Sequence, residues 1–154
     1  MKRVVKLTVN GEEREVFIEP WRTLSEVLRD DLELTGLKIG CDNGDCGSCS
    51  ILLDGQVVKS CIMLAVQAEG RKIQTIEGLS EGDRLDPLQE AFHEHFAVQC
   101  GYCTPGMILT AKSLLDKNPH ATEEEIREYM SGNLCRCGCY PKIIEAILEV
   151  GKAD

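Results

Sequence analysis

The chain has 154 residues, 43% of them hydrophobic, a formal net charge of -9 and nine cysteines. That length supplies one domain or two small ones with modest cores and excludes a large enzyme carrying several organic cofactors. The negative charge argues against nucleic acid and anionic membrane surfaces, and no apolar run approaches the roughly 18 residues that span a bilayer.

Met1-Lys2-Arg3-Val4 leads straight into alternating sequence without a signal-peptide core, so a cytoplasmic location is expected. Val5, Leu7 and Val9 alternate with polar residues, Asn10-Gly11 is a hairpin-type turn, and Val16-Phe17-Ile18 returns as a second strand. Thr23-Leu24-Ser25-Glu26 has capping-box spacing, and Leu24, Val27, Leu28 and Leu32 form the apolar face of the helix it starts. A Gly- and Cys-rich loop follows. Ile51-Leu52-Leu53, Asp54-Gly55 and Gln56-Val57-Val58 read as another hairpin, with a last short strand near Ile73. This order resembles a β-grasp ferredoxin.

Past Gly78 the period turns helical, with Glu77-Gly78-Leu79-Ser80-Glu81-Gly82-Asp83 as the expected linker. Asp86-Pro87 supplies a cap and an N1 proline for a helix striped by Leu88, Ala91, Phe92 and Phe96. Thr104-Pro105 opens a second helix, which Asn118-Pro119 ends. Thr122-Glu123-Glu124-Glu125 caps a third, and Pro141 opens a fourth striped by Ile143, Ile144, Ile147 and Leu148. The predicted fold class is therefore α+β: an N-terminal β-grasp, plant-type ferredoxin domain over residues 1–78, then a four-helix bundle over residues 84–154.

The cysteines fall into two quartets that respect this boundary. No export signal and an odd count argue against a disulfide framework and for metal. The first quartet is Cys41-x4-Cys46-x2-Cys49-x11-Cys61, whose opening spacing is the plant-type [2Fe-2S] signature. Four thiolates around two ferric ions leave net negative charge, so the wrapping loop must turn its amides inward, and Gly40, Asn43, Gly44 and Gly47 permit that. Zinc ligands more often come as two short pairs. The second quartet is Cys100-x2-Cys103 with Cys135-x-Cys137, beside the Thr104-Pro105 helix start and its positive dipole end. Spacing alone fits zinc there as well as a cluster.

Three stretches carry a resemblance: Gly40-Cys41-Asp42-Asn43-Gly44-Asp45-Cys46-Gly47-Ser48-Cys49, Gln99-Cys100-Gly101-Tyr102-Cys103-Thr104-Pro105-Gly106 and Gly132-Asn133-Leu134-Cys135-Arg136-Cys137. They resemble the small iron-sulfur subunit of the molybdenum hydroxylases, the xanthine oxidase family, over nearly the whole chain. The resemblance implies two [2Fe-2S] clusters. Cys100, Cys103, Cys135 and Cys137 would be the ligands on the molybdenum side, and Cys41, Cys46, Cys49 and Cys61 those on the flavin side. Gln99 and Cys137 match positions that contact the pterin. It further implies a large subunit with molybdopterin, expected as the cytosine dinucleotide, a medium subunit with FAD, and a dimer of heterotrimers. The chain would relay electrons singly, and the catalytic site would lie on another chain. A free two-cluster ferredoxin and a zinc-binding interaction module are the alternatives.

One departure stands out. The family continues after the last ligand with Thr-Gly-Tyr, whereas this chain reads Gly138-Cys139-Tyr140. Cys139 is read as a small buried bystander. His93 and His95 point to different helix faces and cannot chelate one ion together. Asp42 and Asp45 are expected to be solvated, Trp21 to lie in the core or at a subunit contact, and Arg136 to offset cluster charge or meet a neighbouring chain.

Overall fold

In the computed structural model, which describes residues 1–152, both expected hairpins are present. Arg3–Val9 (β1) and Glu12–Ile18 (β2) pair antiparallel across Asn10 and Gly11, which sit at φ 52° and 82°. Ser50–Leu53 (β3) and Gln56–Lys59 (β4) pair across Asp54 and Gly55, at φ 50° and 78°. Two positive φ values are what a turn matching the strand twist requires, so Asn-Gly and Asp-Gly serve there. Lys72–Gln74 (β5) inserts between the hairpins, parallel to β1 and antiparallel to β3, giving the order β2-β1-β5-β3-β4.

The sheet separates two cores. Val5, Leu7, Val16, Ile18, Ile51 and Leu53 share one with Leu24, Val27 and Leu28. Leu52, between two residues of that core, faces the other side and joins the helical core. β3 is therefore buried on both faces, which is why its sequence is an unbroken apolar run instead of an alternation.

The helix expected after Thr23 takes a different course. Thr23 caps a single α-turn, Leu24–Glu26 (α1), through a reciprocal capping box. The chain then widens into a π-turn over Val27–Asp31, closed by Leu32 N–H donating to the Val27 carbonyl at 3.1 Å. The wider winding keeps Val27 and Leu28 buried while Asp31 and Asp30 reach the Arg22 guanidinium at 2.6 and 3.1 Å. Trp21, expected in the core or at a subunit contact, is 66% exposed, because the turn closed by Arg22 N–H on the Glu19 carbonyl swings it to solvent.

Four helices follow: Pro87–Glu94 (α2), Thr104–Lys117 (α3), Glu123–Tyr129 (α4) and Tyr140–Lys152 (α5). α3 is buried on nearly every side, since it packs against β3 on one face and against α2 and α4 on others, while α5 packs on α2 and α4. Thr122 and Glu125 form the expected capping box on α4. Thr122→Ala is expected to lower stability by about 1 kcal/mol, measured as a shift in the denaturation midpoint.

Phe96 does not continue the stripe of α2. The helix ends at Glu94 in a Schellman motif, with Phe96 N–H donating to the His93 carbonyl and Ala97 N–H to that of Phe92. Phe96 occupies the left-handed position at φ 53° and is 82% exposed. The expected linker is partly tied down. Leu79 is buried in the helical core, and Glu77 accepts from Gly36 N–H at 2.6 Å. No helix among the described residues is long and apolar enough to cross a membrane.

Candidate metal centres

The first four cysteines gather around a loop without regular structure between α1 and β3. Cys49 leads into β3, and Cys61 lies on the short turn Ser60–Ile62 just past β4, both nearly fully buried. The Ser60 hydroxyl donates to the Cys49 carbonyl at 2.7 Å, so the end of the β3–β4 hairpin brings these two thiols together. Cys41 Sγ accepts from Cys46 N–H at 3.3 Å and Asn43 N–H at 3.5 Å. Positive φ at Asp42, Gly44 and Gly47 turns the amides inward; Asp42 takes this role unpredicted, although aspartate is among the residues that tolerate it. A side chain at Gly40 would place its Cβ 2.9 Å from Cys46 Sγ. Asp42 and Asp45 are exposed, as expected.

The same geometry separates the thiols' acidities. The Cys46 and Asn43 amides bring Cys41 down to about 6, whereas burial, with the Cys49 thiol alongside, pushes Cys61 up to about 12. At pH 7.5 the metal-free chain is expected to be alkylated at Cys41 well ahead of Cys61, since the thiolate is the nucleophile; peptide mapping of a timed iodoacetamide reaction measures the order.

The second quartet forms where α3 begins and the turn before α5 closes. Cys103 immediately precedes α3, near its free amides. Burial pushes the Cys135 thiol up, but the amides of Cys139, Cys137 and Gly138 turn toward it, with Cys103 beside it, and together hold it below the ordinary range. Burial next to Cys135 pushes Cys103 up to about 12, and the Tyr102 amide and Cys137 thiol bring Cys100 down. The Tyr140 hydroxyl accepts from Cys135 N–H at 2.7 Å and closes the turn. Gln99 lies at this rim, its amide 3.5 Å from the Cys137 carbonyl. Cys139 is 5% exposed and packs in the helical core beside Cys135.

No three His, Cys, Asp or Glu side chains among the described residues converge on one point. The thiols stand close to one another within each group: Cys41 by Cys46, Cys49 by Cys61, Cys100 by Cys137, and Cys135 by both Cys103 and Cys139. Four thiolates, two to each iron, are the donor set of a two-iron cluster, and each quartet supplies them. The inward amides supply the hydrogen bonds to sulfur that such an anionic group needs. The residues present therefore fit the group. His93 is exposed, and His95 pairs with Glu149, away from both quartets. Arg136 is exposed.

The two quartets border one cleft, lined by Cys46 from the first and Cys100, Cys103 and Cys135 from the second. Leu134 N–H donates to the Cys46 carbonyl at 2.8 Å, and Tyr102 donates its hydroxyl to the Ile39 carbonyl at 2.7 Å. Asn133, 3% exposed, donates to the Gly47 carbonyl at 3.0 Å and accepts from the Thr110 hydroxyl at 3.1 Å. Gly47 and Gly106 allow this approach: a Cβ on Gly106 would lie 2.5 Å from the Gly47 oxygen. Sequence reasoning missed these clamping residues. Their one signal was a glycine within three residues of a cysteine in both segments.

Residues 7–80 match the family described as the 2Fe-2S iron-sulfur cluster binding domain, and residues 75–148 match the [2Fe-2S] binding domain family. The small subunit of nicotine 6-hydroxylase from Paenarthrobacter nicotinovorans is 51% identical over 145 residues, covering 94% of this chain and 87% of that one. The small FeS subunit of nicotinate dehydrogenase from Eubacterium barkeri is 52% identical over 146 residues, covering 95% and 93%. The crystal structure of quinoline 2-oxidoreductase from Pseudomonas putida 86 superposes with a TM-score of 0.95 at 51% identity, covering 99% of this chain and 95% of the matched one.

Proposed function

Because this chain belongs to the family of small [2Fe-2S] subunits of the molybdenum hydroxylases, we propose that eight of its cysteines hold two clusters in series between a molybdopterin subunit and a flavin subunit. The chain is the electron-transfer subunit of an oxidoreductase. Cys41, Cys46, Cys49 and Cys61 hold the flavin-side group within a β-grasp domain, residues 1–78. Cys100, Cys103, Cys135 and Cys137 hold the molybdenum-side group within a four-helix bundle domain, residues 84–154. Each group, when bound, accepts and gives up one electron at a time. The chain's own residues set the conditions for this. Inward amides at Cys41 and Cys135 stabilise thiolate charge, and Gln99 and Cys137 present the rim of the second centre to the pterin. Catalysis at molybdenum and the binding of FAD fall to the partner chains, in a cytoplasmic dimer of heterotrimers.

The observation that carries this reading is the Leu134 N–H to Cys46 carbonyl bond at 2.8 Å. It joins Cys46 to the chain neighbour of Cys135, which supports reading the two quartets as one path. Purification from the native host tests it. Recovery of two larger chains with molybdenum, FAD and iron is expected; recovery of this chain alone would favour a free ferredoxin, and a colourless preparation a zinc module.

A further inference from the structure

We propose that Lys59 is a fixed positive charge shared by both centres, which raises the reduction potential of each. The inference rests on the two-cluster reading above. Lys59 ends β4, two residues before Cys61, and its stem reaches out of the sheet half toward the helical half. The ammonium donates to the Gly132 carbonyl at 2.5 Å and to the Ser50 hydroxyl at 3.4 Å. It also lies against two bare backbones: a Cβ on Gly47 would stand 2.7 Å from Nζ, and one on Gly132 3.3 Å. Gly47 sits between Cys46 and Cys49, and Gly132 is three residues ahead of Cys135. No side chain on either residue separates the charge from the cysteine loops.

The partners of Lys59 are neutral. Among the described residues, none of the ion pairs includes it. A cation bonded to a carbonyl and a hydroxyl keeps its whole field, and in a partly buried site that field is weakly screened. Reduction adds one negative charge to either centre, so a nearby cation favours the reduced form. Asp42 and Asp45 oppose this from the exposed side of the first loop, where solvent screens them. A mere clamp would not need a cation, since Asn133 already ties the same segments with a neutral amide.

The test is an EPR-monitored redox titration of the complex carrying Lys59→Gln, Lys59→Met or Lys59→Arg. Both midpoints are expected to fall in the two neutral variants, the first centre's further because Gly47 lies among its cysteines. Both should stay near the wild-type values in Lys59→Arg. Unmoved midpoints in the neutral variants would overturn the proposal, as would an arginine variant that shifts as far as they do, or loss of iron from both neutral variants. Wild-type complex lacking two distinct signals would instead overturn the two-cluster reading, so the two failures are distinguishable.

Discussion

Gly47→Ala is expected to destabilise the chain by about 2–5 kcal/mol, although it adds a single methyl group. Two costs combine. Gly47 sits at φ +74°, where an L side chain costs about 1–2 kcal/mol. The new Cβ would also stand 2.4 Å from the Gly132 oxygen, 2.7 Å from Lys59 Nζ and 2.8 Å from Asn133 Nδ2. The Gly132 carbonyl is backbone and Asn133 is held by Thr110, so neither gives way. Overpacking of this kind costs about 1–3 kcal/mol. Gly11→Ala is the control, because Gly11 shares the positive φ, at 82°, but has nothing within 4 Å of its Cβ position. It should show only the conformational cost. For a chain of this size each kcal/mol moves the melting temperature by roughly 2–4 °C, so the two variants are expected to melt at clearly different temperatures. Coincident melting would show that the junction between the two cysteine segments yields.

Cys49→Ser is expected to abolish one EPR signal and halve the iron, and Cys103→Ser to abolish the other signal with the same loss. Serine oxygen is a harder donor than thiolate and a poor match for these clusters. Each substitution acts within its own quartet, where Cys49 lies beside Cys61 and Cys103 beside Cys135. The effect should extend to stability. Cys49 belongs to the sheet core, and Cys103 packs against the helical core. A group bound only by the folded chain stabilises the half that holds it. Cys139→Ser should keep both signals, because Cys100, Cys103, Cys135 and Cys137 supply four thiolates without it and Cys139 is packed in the helical core. Metal analysis beside EPR measures all three variants, and loss of the second signal in Cys139→Ser would move the ligand assignment.

Much of the fold was legible because local chemistry decides it. Asn10-Gly11 and Asp54-Gly55 can form two-residue hairpin turns because those residues accept positive φ, and Thr23, Asp86 and Thr122 cap helices through atoms at most three residues away. Where the expectation failed, a competing closure or a more distant contact decided the outcome. The turn after Val27 widens as Arg22 takes Asp30 and Asp31. Phe96 leaves its stripe because a Schellman closure overrides helical periodicity at the end of α2. Leu52 reads as one more apolar strand residue until α3 covers the far face of the sheet.

By itself, the sequence determined that the cysteines fall in two separated stretches, and the hairpins and capped helices around them, since spacing and turn chemistry act over a few residues. Only the tertiary structure decided that the quartets border one cleft and that Lys59, Asn133 and Leu134 join them. Those contacts connect residues 73 and 86 positions apart for Lys59–Gly132 and Asn133–Gly47. No local pattern specifies such a meeting. It depends on α3 packing against β3, with glycine at 47 and 106 leaving the backbones room to touch.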